Sequence, residues 1–145
     1  MAIVCGISTH IADAYQRRWF SAHPGIRRWH TEVERRLNST REVHNAFGYR
    51  RHYFGRLEGL LPEALAWIPQ STVACVINRV WVNLYENKPE LQVLLQVHDS
   101  LAGQFLTSEA WPHADIPPVP YPDPLFIPVS MKTSTKSWGD CGETL

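Results

Sequence analysis

Lysine is missing from the first 60 residues of this chain, which hold ten Arg against five acidic residues, a local charge of +5. Residues 61–145 carry four basic and nine acidic side chains, a charge of −5, so the net charge of zero conceals a strong asymmetry. Asymmetry of this kind fits a polyanionic partner on the first part, and it also fits solvated helix faces. The missing Lys tilts the reading towards phosphate, because Arg forks grip phosphate oxygens bidentately.

Cysteine is scarce too. Cys5, Cys75 and Cys141 are far apart, with no CxxC pair and no Cys/His cluster. That spacing excludes a structural zinc site. An odd count without a secretory signal reads as reduced thiols. The opening MAIVCGISTH has no basic leader and no cleavage pattern. The apolar runs read as too short to span a bilayer. The expectation is a cytoplasmic protein with no membrane partner. No internal repeat is visible.

What is present is globular in character: 145 residues, 44% hydrophobic, 19% charged, with six Trp. The length suits one domain or a piece of a larger one. THIADAYQRRWF, residues 9–20, has helical spacing through Ile11, Ala14, Tyr15, Arg18 and Trp19, with Thr9 as a candidate cap. HPGIRRWHTEVERRL follows, with Pro24 suited to a helix start and Ile26, Trp29, Val33 and Leu37 as a core stripe. Arg27, Arg28, Arg35 and Arg36 lie off that stripe, and Asn38-Ser39 should close the helix. Residues 41–54 predict a hairpin turning at Gly48. A long helix is expected from Pro62 to Asn87, kinked or restarted at Pro69. Val73, Ile77, Val80 and Leu84 recur on one of its faces.

Residues 91–98 and 101–106 predict two antiparallel strands, with Asp99 and Ser100 at the tight turn. The Pro-rich stretch from Thr107 to Pro124 excludes regular structure, having six Pro in its last fourteen residues. LFIPVSM, residues 125–131, can return as an edge strand, since Pro128 lacks a donor. The tail reads as loose apart from Trp138. The expected class is α+β: helices plus a small, mostly antiparallel sheet.

The chemistry concentrates in LLQVHDSLAG, where His98, Asp99 and Ser100 interrupt two strand-like runs. Polar groups at a buried strand tip require partners. A carboxylate at a hairpin turn is rigidly held, and Mg²⁺ favours one or two carboxylates plus phosphate oxygens and water. Taken alone, an Asp at a turn more often serves the turn itself. Gln70, taken alone, more often decorates a helix start.

QVHDSL resembles motif C of family A DNA polymerases. AHPGIRRWHTEVERRL resembles the PGI-containing fingers helix of phage-type members, and NAFGYRRHYFGRLEG the segment after it. ALAWIPQSTVACVINRVW resembles the family's long helix, and DPLFIPVSMKTSTKSWGD its terminal strand and closing Ser/Trp motif. The pieces run in family order over about residues 7–140. The resemblance implies an incomplete, C-terminal portion of a polymerase domain. Residues 1–60 would be fingers-derived helices and hairpin; residues 61–145 would be palm helix, motif C hairpin and terminal strand.

The resemblance further implies template-dependent nucleotidyl transfer, with primer–template DNA and deoxynucleoside triphosphates as partners. Asp99 would be one of two Asp ligands of a two-Mg²⁺ site. His98 would bear on the primer terminus. Ser100 replaces the family's commoner Glu, removing an accessory carboxylate. Gln70 would contact the primer–template minor groove, where every base pair offers an acceptor. Arg50, Arg51 and Arg79 are candidate DNA-backbone contacts, together with Arg27, Arg28, Arg35 and Arg36. Tyr49 and Tyr53 read as packing residues.

Two family parts have no counterpart in these residues: the strand bearing the second Asp, and the helix that grips the triphosphate. The Pro-rich stretch also stands where the family has a helix. The chain is therefore expected to be inactive alone: either it is part of a split polymerase completed by a second chain carrying the missing parts, or it is a degenerate gene or a partial sequence. The alternatives are a non-catalytic module binding primer–template DNA and a degenerate polymerase remnant. The implied setting is bacterial or phage-infected cytoplasm.

Overall fold

The computed structural model describes residues 6–56, 58–106, 116, 118–120 and 124–143. Three helices and small two-stranded antiparallel ribbons make it α+β. The chain divides into two compact units, Met1–Val43 with Arg50–Ala66, and His44–Tyr49 with Trp67–Leu145.

The first unit begins with α1, Thr9–Ala22. Its cap is Ser8, one residue before the expected Thr9; the Ser8 Oγ accepts from Ile11 N–H at 3.4 Å. Helix α2 is Pro24–Thr40. Pro24 stands at its first position, where a missing N–H costs nothing. Only His23 separates the helices. Its N–H donates to the carbonyls of Trp19 and Phe20, and its own carbonyl accepts from Ile26 N–H at 3.1 Å. One residue thus closes α1 and opens α2. Arg41 ends α2 in the left-handed conformation, with φ 56°.

Ala12, Val33, Leu37, Val43, Tyr53 and Ala64 are buried in this unit. The expected α2 stripe is core only at Val33 and Leu37, because Trp29 keeps 36% of its surface exposed. The stripe of α1 fares similarly: Ile11, Tyr15 and Trp19 are exposed, and Ala12 alone is buried.

The expected hairpin forms from β1, Glu42–His44, and β2, Arg50–His52. Its loop belongs to the second unit and is organised by Asn45. The Asn45 Oδ1 accepts from the N–H groups of Phe47 and Tyr49, each at 3.0 Å, and Gly48 adopts φ 83°.

Helix α3, Leu60–Asn87, runs through Pro69 without restarting. The Ser71 and Thr72 hydroxyls both donate to the Ile68 carbonyl, at 3.2 and 2.8 Å, bracing the turn after the proline. By length and composition α3 could cross a bilayer, contrary to the sequence expectation; its most apolar 18-residue window has mean hydropathy 1.3. After Ala64, its buried positions fall at Thr72, Val76, Val80 and Leu84, spaced by four, with Ile77 beside them. Val73, expected on that face, is only half-buried. Val76, Val80 and Leu84 pack with Val119 in one core cluster, and Leu91, Val93 and Leu101 lean on it. Full burial of a side chain such as Val76 contributes about 1.5–3 kcal/mol.

Strands β3, Gln92–Val97, and β4, Ser100–Gln104, pair antiparallel with a bulge at Leu94. The bulge allows Val93 to face Gly103 and Leu95 to face Ala102. Gly103 is required by close approach, since a Cβ there would lie 2.9 Å from the Gln92 carbonyl oxygen.

The expected strand over 125–131 does not form. Leu125 makes a single bridge with Val119, and the next pairing is β5, Lys132–Thr133, with β6, Gly142–Glu143. A 3₁₀ turn at Trp138–Asp140 lies between them, so the tail is ordered where it was expected to be loose. Most of the Pro-rich stretch lies outside the described residues, as does Cys5. Cys75 and Cys141 are free thiols.

Candidate functional site

The β3–β4 hairpin sets the candidate site. Val97 pairs with Ser100, so the turn residues are His98 and Asp99, not Asp99 and Ser100. His98 takes φ 54°, the positive value that two-residue hairpin loops demand at their first central position. The Ser100 Oγ donates to the Val97 carbonyl at 2.7 Å, and Gln96 Nε2 donates to the His98 carbonyl at 3.4 Å. These bonds lie beneath the turn and leave the acid at its apex.

His98, Asp99 and Ser100 are all exposed. The expectation of a buried strand tip is corrected: water solvates these groups. No hydrogen bond or ion pair among the described residues engages the Asp99 carboxylate. Its oxygens are available to a ligand.

A single exposed carboxylate is one donor of the kind that a hard divalent cation takes. Mg²⁺ bound through one or two carboxylates, phosphate oxygens and water is compatible with an open apical Asp. Asp99 supplies one such carboxylate. No three His, Cys, Asp or Glu side chains converge into a metal-binding group among the described residues. The donor set therefore fits one ligand of a shared site and does not fit a closed cage.

Gln70 lies on α3, exposed, directly after Pro69. No hydrogen bond holds its side chain among the described residues, so its amide can donate outward. Arg79 is exposed one face along, with its guanidinium carbon 4.2 Å from the Phe47 ring centroid. Stacking on Phe47 restricts the guanidinium without using its donors. Arg79 also lines a groove of about 650 Å³ between α3 and the Asn45–Tyr49 loop. Asn45, Tyr49, Cys75, Asn78 and Asn83 contribute to the wall. The Asn83 Oδ1 is buried there without a partner.

Two hydrogen bonds and one stacking contact from the loop fix that wall. Ala46 N–H donates to the Thr72 Oγ1 at 3.2 Å, Asn45 Nδ2 donates to the Cys75 Sγ at 3.4 Å, and the Arg79–Phe47 stack closes the third side. Sequence reading did not single out Asn45 or Thr72. An Asn four residues before Tyr49 in a Gly-containing turn was the available signal.

Arg50 and Arg51 belong to the first unit, on β2. Arg50 is exposed and has no ion pair among the described residues. Arg51 pairs with Glu63 at 2.5 Å and lies 5.1 Å over the Tyr53 ring, so its charge is half spent. Burial pushes the Tyr53 hydroxyl pKa up, with Arg51 opposing, and the hydroxyl oxygen has no hydrogen-bond partner among the described residues. Tyr53 is buried, as expected of a packing residue, whereas Tyr49 is 64% exposed, against that expectation. Arg35 and Arg36 are likewise engaged, both on Glu32 at 2.8 Å. Arg17, Arg18, Arg27 and Arg28 have no ion pair among the described residues.

Compared with known proteins, the chain matches no family profile, no curated protein and no solved structure at a significant level.

Proposed function

We propose that this chain is a C-terminal portion of a family A-like DNA polymerase that contributes half of a two-metal site. One observation carries the reading: a two-residue β-hairpin turn lifts Asp99 into solvent with its carboxylate unengaged. The ordered sequence resemblance around that hairpin supplies the chemistry. Asp99 would hold one face of a Mg²⁺ pair, and a second chain would bring the other carboxylate. Bound metal would neutralise triphosphate charge during in-line attack by a primer 3′-hydroxyl. His98, fixed beside Asp99, would orient the primer terminus. Gln70 would donate into the minor groove irrespective of sequence. Arg50 and Arg79 would meet phosphates; Arg51 would do so only by leaving Glu63.

A second reading is favoured by the donor count. Among the described residues Asp99 belongs to no cluster of three or more His, Cys, Asp or Glu side chains, as in a module that grips primer–template duplex without chemistry or a degenerate remnant.

Primer extension separates them. The chain alone should incorporate nothing with Mg²⁺. Adding a polypeptide that bears the second Asp strand and a triphosphate-gripping helix should restore extension to the wild type and not to Asp99→Ala. Extension by the chain alone would overturn the proposed incompleteness. Equal rescue of Asp99→Ala would overturn the metal role. Duplex binding with no rescue at all would leave the binding module as the function.

A further inference from the structure

We propose that the α1 face around Trp19 is a binding site for single-stranded nucleic acid. The proposal does not rest on the polymerase reading, because it is argued from exposed rings of α1 and shares only Arg27 with the candidate backbone contacts named above. Ile11, Tyr15 and Trp19 recur every four residues on α1, and they are 45%, 62% and 48% exposed. A core helix would bury such a stripe; this one shows two ring faces to water.

The surroundings are built around those rings. Trp19 stacks on His23 with centroids 4.8 Å apart, and Phe20 packs edge-on to Trp19 at 5.1 Å. The His23 Nδ1 lies 2.8 Å from the Trp19 carbonyl oxygen, which fixes the corner between the helices. Tyr15, Arg18, Trp19, Phe20 and His23 line an open groove of about 660 Å³. The Arg27 guanidinium, from α2, lies 4.2 Å over the Phe20 ring. Arg18 and Arg27 thus flank the rings, and neither is ion-paired among the described residues.

Charge selects the occupant. The first 60 residues carry +5 with Arg as the only cation, so the rings sit in a positive field. Exposed rings interleaved with Arg match a strand whose bases stack and whose phosphates take forked donors. A duplex keeps its base faces stacked inside, and offers these rings nothing.

The test is fluorescence anisotropy of the full chain with a labelled oligothymidylate of about 12 nucleotides, within the usual site size. The matching duplex serves as competitor. The duplex should displace the labelled strand more weakly than unlabelled single strand does. Tyr15→Ala and Trp19→Ala should each weaken it by roughly 5-fold or more, the loss expected of one stacked base. Trp19→Phe should recover most of the affinity. Arg18→Ala and Arg27→Ala should each lower the slope of log affinity against log salt by about 0.7. Trp138→Ala, an exposed ring of the other unit, should change nothing. Wild-type affinity in the two ring variants, with helical circular dichroism intact, would overturn the site. So would a duplex that competes as well as the single strand.

Discussion

The Ser100 hydroxyl reaches across the hairpin turn to the Val97 carbonyl, 2.7 Å away, and fastens the two residues that flank His98 and Asp99. The bond makes the turn a platform. The acid is presented by backbone geometry and needs no side-chain support of its own.

Asp99→Ala is accordingly expected to be structurally silent. An exposed side chain without partners changes stability by no more than about 0.5 kcal/mol. Thermal unfolding within that margin, together with lost rescue in primer extension, assigns Asp99 to ligand binding. A large drop in melting temperature would make it a turn residue.

His98→Gly should stabilise the hairpin. A non-glycine residue with positive φ carries roughly 1–2 kcal/mol of strain, which glycine avoids. Arg41→Gly, at the other such position, should gain less. Its side chain donates to the Gly55 carbonyl at 2.7 Å, and that bond is lost. Hydrogen exchange of the β3–β4 amides reads the first effect, and thermal unfolding of the two variants compares them.

Thr72→Val removes the acceptor of the Ala46 N–H. Leaving a half-buried donor unpaired costs about 1–3 kcal/mol. Thr72→Ser keeps the hydroxyl and should recover most of that loss. Chemical denaturation of both variants checks the pair, and a loss in Thr72→Val no larger than that in Thr72→Ser would count against the hydrogen bond as its cause.

Gly103→Ala should weaken the hairpin by about 1–3 kcal/mol through overpacking against backbone. The Gln92 carbonyl cannot swing aside as a side chain could. Loss of β3–β4 cross-strand NOEs at unchanged α3 helicity is the expected signature.

Glu32 provides a pH-dependent prediction. Hydrogen bonds from Arg35 and then Arg36 hold its carboxyl down at about 2, against an ordinary value of 4.5. Its folded-state pKa is depressed, so its support for α2 is fully present above about 4.5 and fades as pH falls through about 2. The side chain keeps 40% of its surface in contact with water, and salt should narrow the shift. Carboxyl NMR titration should find the midpoint near the low value at low ionic strength, rising towards 4.5 in high salt.

The α+β class and all three helices were legible because apolar periodicity and terminal signals coincide, as at Pro24. Periodicity shows that a face is apolar, and is silent on whether anything covers it. Trp19 and Val33 look alike in sequence, yet one is exposed and the other is buried. At Pro69 the restart did not occur, since one missing donor does not end a helix whose later turns are held by packing. LFIPVSM has strand composition without a strand partner, and pairing is a property of two segments. At the site, the sequence identified the ribbon but placed its turn one residue late. Asp-Ser is the commoner turn pair, whereas here His98 accepts the positive φ. The solvation of Asp99 was not readable either, since flanking apolar runs suggest burial at both ends of a strand.

Each ribbon described here has only two strands, so among the described residues both outer rows of β3–β4 peptide groups lack a strand neighbour. Such rows are templates for main-chain pairing with foreign polypeptide. A companion chain could therefore join by extending the ribbon, bringing new side chains into register beside the turn. The same openness makes solubility depend on concentration, and crowded refolding would favour self-association over recovery.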